Sequence, residues 1–255
     1  MVTIKTKEDI AILREGGRRH AEILRVLSAM VKPGLPVIEL ENKAREMIDS
    51  RGDVASFLNF KPRGARRAYP AALCVSINDE VVHGIPNEGE KILKEGDIVS
   101  LDLGLTHKGL VTDSAVTVAV GKVAPELEKL IAATKEALMA GIKAAKGGKR
   151  VSDISRAIEM VGRRYGFGVI ELLGGHGVGY SVHEEPCIPN YDDGDKGPVL
   201  KPGMVLAIEP QFNIGTKDVY LDDDDYTYRT ADGLPSAHFE HTVVITKSGA
   251  EILTA

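Results

Sequence analysis

Two acidic residues follow short apolar runs that are typical of buried strands. Asp102 comes after residues 98–101, and Glu209 comes after residues 205–208. A carboxylate beside a buried strand is costly unless it is paired with a cation or bound to a metal. The two positions therefore indicate a site with bound charge rather than an ordinary core.

Two further acids open runs of β-branched residues. Asp113 precedes residues 114–118, and Glu240 precedes residues 241–245. If these strands pair with the two above, four like charges meet, and they cannot stay ionised without cations. Each acid taken singly could instead face water at a strand end.

Three segments of the chain recur in the same order. Residues 93–102 resemble residues 200–209, and residues 113–118 resemble residues 240–245. The turns before the second helix of each pair also correspond: Lys32, Gly34 and Val37 match Lys146, Gly148 and Val151. The repeat predicts one domain over residues 1–255, with two related α+β halves at roughly 1–121 and 122–255. It also places the four acids at equivalent positions, which favours the cluster.

Three histidines could reach such a cluster. His176 is predicted in a glycine-rich turn at residues 174–179, His183 follows it, and His83 ends an apolar strand. A lone histidine beside glycine is more often an ordinary turn residue. Four oxygen donors with one imidazole favour first-row ions such as Mn(II), Co(II) or Fe(II), with Zn(II) as an alternative. Bridging carboxylates hold two such ions roughly 3.5–4 Å apart around a shared water or hydroxide, an arrangement typical of metal-assisted hydrolysis.

Helices and strands must position these side chains. Apolar spacing predicts helices at residues 6–31, 37–51, 125–146 and 152–165. Thr6 is the predicted N-cap of the first helix, with Asp9 three residues on. Strands are predicted at residues 73–77, 98–103, 114–120, 205–208 and 241–246.

The composition excludes several classes of protein. The chain is 43% hydrophobic and 27% charged, and 32 basic against 37 acidic residues give a net charge of −5. Nucleic acid and membrane surfaces are therefore not expected partners. The longest run without charge, residues 172–183, is shorter than the about 20 residues of a spanning helix, and no signal peptide is predicted at the start. Two cysteines make no disulfide framework, so we expect a soluble cytoplasmic protein.

The ordered set of acids and histidines resembles that of the type I methionine aminopeptidases: His83, Asp102, Asp113, His176, His183, Glu209 and Glu240. The resemblance covers essentially the whole chain, and residues 175–191 are similar to the family's signature. Leu173 stands where the family has Met, Phe or Tyr, a packing difference outside the ligand set. The resemblance implies an α+β fold of the pita-bread type, with two pseudo-symmetric halves around a central antiparallel sheet.

The resemblance also implies a metal-ligand set. Asp113 and Glu240 would bridge two divalent ions, which could be Co, Mn, Fe, Ni or Zn. Asp102 would chelate one ion, and His176 with Glu209 would complete the other. The enzyme would be a metallo-exopeptidase that removes the initiator methionine when the second residue is small.

The catalytic roles are likewise implied by the resemblance. A hydroxide that bridges the metals would attack the scissile carbonyl, and Glu209 would carry its proton to the leaving amine. His183 would donate to the carbonyl oxygen or to the tetrahedral oxyanion, and His83 would contact the scissile amide nitrogen.

Four positions correspond to the family's methionine slot: Tyr69, Cys74, Val182 and Tyr226. The family often has larger rings at the last two, and this chain has no Trp. A looser pocket is therefore expected. Cys74 could equally be a small core residue.

Three other interpretations remain open. One is an Xaa-Pro aminopeptidase or prolidase of the same fold, which would carry a separate N-terminal domain. The others are a non-catalytic pita-bread binding protein and an unrelated α+β binding module. For the favoured interpretation, the expected partners are nascent polypeptide N-termini. The protein is expected to be a monomer, and any ribosome docking would use the domain surface.

Overall fold

The computed structural model describes residues 2–62 and 64–255. It contains four helices: α1 (Lys7–Met30), α2 (Val37–Asp49), α3 (Pro125–Ala144) and α4 (Val151–Tyr165). All four predicted helices are confirmed. Helix α1 begins at the predicted capping box, in which the Asp9 amide donates to Thr6 Oγ1 at 3.1 Å and the Thr6 amide donates to Asp9 Oδ2 at 2.9 Å. No helix among the described residues is long and apolar enough to cross a membrane.

The described residues also form strands along most of the chain. They are β1 (Val54–Ala55), β2 (Leu73–Ile77), β3 (Glu80–Val82), β4 (Ile98–His107), β5 (Leu110–Ala119), β6 (Gly168–Val169), β7 (Gly174–Gly177), β8 (Glu184–Pro189), β9 (Val205–Ile208), β10 (Gln211–Asn213), β11 (Val219–Leu221), β12 (Tyr228–Thr230), β13 (Ser236–His238), β14 (Glu240–Ile245) and β15 (Ala250–Ile252). The five predicted strands are all present, and the others are mostly short.

A nine-stranded antiparallel sheet forms the centre of the fold. Its order is β1-β4-β5-β14-β9-β7-β8, with β2 on β4 and β15 on β14. The strands that carry the acids pair as expected: β4 with β5, β9 with β14, and β5 with β14 at the middle. Neighbouring positions of one sheet can therefore bring the four acids together.

Two apolar clusters cover the helical face of this sheet. Helices α1 and α2 pack with β2 and β4 around residues such as Leu27 and Leu101. Helices α3 and α4 pack with β9 and β14 around residues such as Ile158 and Ile208. Because side chains alternate along a strand, the neighbours of these buried residues face the opposite side of the sheet. That side carries a third apolar cluster, which includes Ala207 and Leu13, and it also carries the site.

The prediction that Asp113 opens its strand is wrong. Strand β5 begins at Leu110, so Asp113 lies inside it. Lys108 and Gly109, with φ of 48° and 82°, form a two-residue turn that joins β4 to β5. Pairing therefore continues on both sides of Asp113, and the carboxylate is held by a strand rather than by a strand end.

The prediction of a glycine-rich turn around His176 is also wrong, because His176 lies in strand β7. The glycines are explained by close backbone contacts with the neighbouring strands. A Cβ on Gly175 would lie 2.3 Å from the Ala207 carbonyl oxygen, and one on Gly177 would lie 2.2 Å from that of Glu185. Glycine is therefore required for close approach of β7 to its neighbours.

Helix α1 approaches the end of the chain at a glycine. A Cβ on Gly17 would lie 2.1 Å from the carbonyl oxygen of Leu253, and one on Gly16 would lie 3.0 Å from His107 Cβ. The helix can therefore pack this closely only without a side chain at Gly17.

We expect Gly17→Ala to destabilise the protein, although Ala has the higher helix propensity by about 1 kcal/mol. The added Cβ displaces the backbone, which should lower the free energy of unfolding by about 1–3 kcal/mol in urea titrations. Gly249→Ala is the control, because no described residue lies within 4 Å of its added Cβ. It should stay within about 0.5 kcal/mol of wild type. A Gly17→Ala protein as stable as wild type would contradict this packing.

Candidate active site

A cavity of about 300 Å³ opens beside the middle of the sheet. All five predicted metal ligands and both further histidines line it: Asp102, Asp113, His176, Glu209, Glu240, His83 and His183. Aromatic and apolar side chains line the remainder. One cavity therefore joins an acidic cluster to an apolar pocket.

Strand pairing brings the ligand-type residues to the same place. Asp102 on β4 lies opposite Ala115 of β5, and Glu240 on β14 pairs with the same alanine from the other side. Asp113 is two residues before Ala115. Asp102 faces away from the helices, because its neighbour Leu101 packs beneath them.

The second half of the cluster comes from β7 and β9. His176 of β7 lies opposite Ala207 of β9, and Glu209 directly follows that strand. His176 Nε2 lies 3.4 Å from Glu209 Oε1. His176 Nδ1 lies 2.9 Å from the carbonyl oxygen of Gly177 and donates to it, which leaves the Nε2 lone pair directed at the acids.

The four acids disfavour one another's charge, as expected of carboxylates that ligate a cation. Burial raises the pKa of Asp102 to about 7 and raises those of Glu209 and Glu240 well above their ordinary range. The pKa of Asp113 is also raised well above its ordinary range, first by burial and then by the charges of Asp102 and Glu209. Burial first, and then the closeness of the His183 imidazole, lowers the pKa of His176 to about 3, so its imidazole is neutral.

Several oxygen atoms of these acids lack a hydrogen-bond partner. Asp102 Oδ1, Asp113 Oδ1 and Glu240 Oε1 are buried and accept no hydrogen bond from any described residue. One ligand atom from each of Asp113, His176 and Glu240 lies within 4.8 Å of the other two. Unpaired carboxylate oxygens with a neutral imidazole fit a divalent cation, which would supply the missing interactions.

A residue that the sequence did not single out restrains Glu209. Gln211 Nε2 donates to Glu209 Oε2 at 2.6 Å, and Asn190 Nδ2 donates to Gln211 Oε1 at 2.7 Å. Both amides are fully buried. The sequence offered only their positions as a signal: Gln211 is two residues after Glu209, and Asn190 lies in the 175–191 segment. Single polar residues leave no periodic pattern, so neither amide could be predicted to be buried.

The two remaining histidines each contact an aromatic ring. His83 follows β3 with φ of 60°, an unusual conformation for a residue other than glycine, and its ring lies 6.1 Å from that of Tyr228. His183 lies edge-on to Phe60 at 5.6 Å. Burial first lowers the pKa of His83 to about 4 and also lowers that of His183, so both can donate an N–H without carrying charge.

The apolar end of the cavity contains three of the four predicted slot residues. Tyr69, Cys74 and Tyr226 line it, and the two tyrosine rings meet edge to face at 5.1 Å. Burial raises the pKa of Cys74, which is therefore a thiol. Val182 is not among the described residues that line the cavity, and it packs in an apolar cluster with Leu13.

Other aromatic residues complete the pocket in place of Val182. Phe57, Phe60 and Tyr228 line the cavity and were not predicted. Phe57 and Phe60 lie in the segment before Tyr69, where two aromatic side chains close together were a usable signal. The pocket wall is therefore more aromatic than the four expected slot residues alone indicated.

Comparisons with known proteins agree with this geometry. The profile of metallopeptidase family M24 matches residues 11–247. Methionine aminopeptidase of Aquifex aeolicus is 48% identical over 99% of this chain and 98% of its own. Methionine aminopeptidase 1 of Bacillus subtilis is 42% identical over 100% and 99%.

Solved structures show the same relation. The crystal structure of methionine aminopeptidase from Rickettsia prowazekii superposes with a TM-score of 0.94 at 36% identity, over 100% of both chains. An Xaa-Pro dipeptidase from Bacillus anthracis shares the fold at a TM-score of 0.78 and 24% identity, but only 61% of its length is covered. The predicted α+β fold of the pita-bread type is confirmed, and the Xaa-Pro alternative is not favoured. The chain belongs to metallopeptidase family M24 and, within it, to the methionine aminopeptidases.

Proposed function

We propose that this protein removes the N-terminal methionine from peptides and nascent polypeptides whose second residue is small. The observation that carries the proposal is the single cavity in which buried acids adjoin an aromatic pocket. The cluster would bind the free α-amino group and the pocket would bind the methionine side chain. Only a terminal residue satisfies both at once.

We propose that two divalent ions, of Co, Mn, Fe, Ni or Zn, are held by Asp102, Asp113, His176, Glu209 and Glu240. Asp113 and Glu240 would bridge the two. Bound ions would supply an activated water and polarise the scissile carbonyl. The unpaired carboxylate oxygens and the Nε2 lone pair of His176 support this ligand set.

The other residues act on the substrate. Glu209 would move a proton through Oε1 to the leaving amine, while Gln211 holds Oε2. His183 would donate to the carbonyl oxygen, and His83 would contact the scissile amide nitrogen. Their low pKa values support donation from neutral rings.

The methionine side chain would lie against Tyr69, Cys74 and Tyr226. A thioether gains about 0.3–1.5 kcal/mol from contact with an aromatic ring, and Phe57 and Phe60 add such contacts. Val182, the fourth expected slot residue, would act from behind these rings, because Phe57 and Phe60 pack against its apolar cluster.

We further propose that residues 1–255 act as one catalytic domain, with halves at roughly 1–121 and 122–255. The two apolar clusters beneath the sheet support this division. We propose a cytoplasmic monomer that meets nascent chains, with any ribosome contact made by the domain surface.

Metal dependence is the first test. Chelation with EDTA should abolish hydrolysis of a Met-Ala-Ser peptide, and Co(II) or Mn(II) should restore it. Asp113→Asn and Glu209→Gln should stay inactive in excess metal, and atomic absorption should show reduced metal content. Asp193→Asn, at an exposed position, is the control and should behave as wild type. Full activity of the metal-free protein would exclude this hydrolase function.

The histidines outside the ligand set give the second test. His83→Ala and His183→Ala should each lower kcat by roughly 10²–10³-fold, because each removes one donor to the reacting amide. Metal content should not change. Loss of a metal ion from either variant would show that the histidine is a ligand instead.

Substrate choice is the third test. Met-Ala-Ser should have the highest kcat/KM, and Met-Lys-Ser should react poorly because its long charged side chain would be buried unpaired. Leu-Ala-Ser should be cleaved detectably, since a small change in an apolar side chain is worth about 1–3 kcal/mol. An N-acetylated peptide should not react. If Ala-Pro-Ser were the best substrate, the prolidase-type alternative would be correct.

A further inference from the structure

The side chain of His183 has few contacts that would fix its position. More than a third of the residue is exposed, and its ring makes no hydrogen bond with any described residue. It contacts the edge of Phe60 and lies 4.5 Å from the ring of His176. A donor that must meet a reacting oxygen within a fraction of an ångström therefore depends on its backbone for position.

That backbone is fixed on both sides of His183. Val182 is buried in the apolar cluster with Leu13. Glu184 Oε1 accepts hydrogen bonds from the amides of Tyr180 at 2.5 Å and Ser181 at 3.1 Å, so its carboxylate closes the loop upon itself. Ser181 Oγ donates to the carbonyl oxygen of His183 at 2.9 Å.

The other oxygen of Glu184 is bound by the N-terminal segment. Oε2 accepts from Lys5 Nζ at 2.6 Å and from Thr3 Oγ1 at 2.5 Å. The side chain of Lys5 is 1% exposed and that of Glu184 is 7% exposed. The pair is therefore a buried ion pair that joins segments far apart in the sequence.

The loop is shaped to receive this lysine. Lys5 Cε lies 2.4 Å from where a Cβ of Gly179 would be, so only glycine leaves room for it. Lys5 Nζ lies 4.8 Å from the centre of the Tyr180 ring, whose hydroxyl donates to Asp9 Oδ2 at 2.7 Å. The Lys5 amide donates to the carbonyl oxygen of Gly203 at 2.8 Å, which ties the segment to the sheet beside β9.

Burial of two charges is expensive, and a buried ion pair is weak evidence for stability in itself. Burial lowers the pKa of Lys5, and the hydrogen bond to Glu184 opposes this shift. Burial raises the pKa of Glu184, but the hydrogen bonds from Lys5 and Thr3 outweigh it and the pKa lies below its ordinary value. The 2.6 Å contact between Lys5 Nζ and Glu184 Oε2 instead joins the N-terminal segment to the loop in a fixed geometry.

We propose that Lys5 is a positioning residue for His183, acting through Glu184 to hold residues 179–184 in the geometry that the reaction needs. The proposal rests on the proposed function of His183. Lys5 is not among the described residues that line the cavity. Its effect is on the position of the His183 imidazole.

Lys5→Met tests this, because it removes the cation and keeps a similar volume. We expect kcat for Met-Ala-Ser to fall between about 10-fold and 100-fold, with KM and metal content unchanged. Glu184→Ala, which removes the anchor from the loop side, should give the same pattern. Arg19→Met is the matched control: Arg19 also pairs with a buried carboxylate, that of Asp53 at 3.2 Å, and should leave kcat unchanged.

Two readouts separate positioning from a purely structural role. In a His183→Ala background Lys5→Met should cause no further loss of kcat, because the two substitutions affect one interaction. The amides of Tyr180 and Ser181 should exchange hydrogen faster in Lys5→Met than in wild type. Unchanged kcat in Lys5→Met, or an equal loss in both backgrounds, would overturn the proposal.

Failure of the proposed function gives a different result. If wild type does not cleave Met-Ala-Ser, the assigned reaction is wrong. Hydrogen exchange then tests by itself whether Lys5 holds residues 179–184. Faster exchange of the two amides would still support control of the loop by Lys5. Unchanged exchange would exclude it.

Discussion

Four carboxylates buried around one cavity repel one another, and burial works against the charge of each. The rest of the fold can be understood as a frame that holds them in place despite this cost. Each acid lies on or beside a strand of one antiparallel sheet, so backbone hydrogen bonds fix its position. The helices pack apolar side chains on the other face and supply the stabilising burial.

Buried acids elsewhere in the molecule show what the site acids lack. Glu41 accepts hydrogen bonds from the amides of Ala72 and Leu73 and pairs with Arg45. Glu184 is bound in the same way by two amides and Lys5. In both cases two amides and a cation occupy the oxygens of a carboxylate outside the acidic cluster. The unpaired oxygens of Asp102, Asp113 and Glu240 stand apart from this pattern and favour an external cation.

The sequence predicted the parts of the site that lie on regular elements. Apolar runs located the strands before Asp102 and Glu209, and the repeat related them, because burial leaves a periodic pattern. The glycines around His176 predicted a turn, and this prediction was wrong. Glycine is needed at Gly175 because the Ala207 backbone lies close to it, a contact that only the tertiary structure reveals. Phe57 and Phe60 lie in a segment without periodicity, so the sequence offered only their closeness to each other as a signal and did not place them in the cavity. Val182 has a sequence position that matches the family pocket, but it does not line the cavity and belongs to the apolar cluster against which Phe57 and Phe60 pack.

The two apolar clusters have a consequence for how the acidic cluster is assembled in space. Asp102 and Asp113 come from the strands above one cluster, whereas Glu209 and Glu240 come from those above the other. The strands above the first cluster supply two of the carboxylates and lack the imidazole of β7. The proposed ligand set is complete only where β5 pairs with β14. Metal affinity would therefore depend on contacts across the middle of the sheet, and a substitution that loosens this pairing would weaken metal binding without changing a ligand.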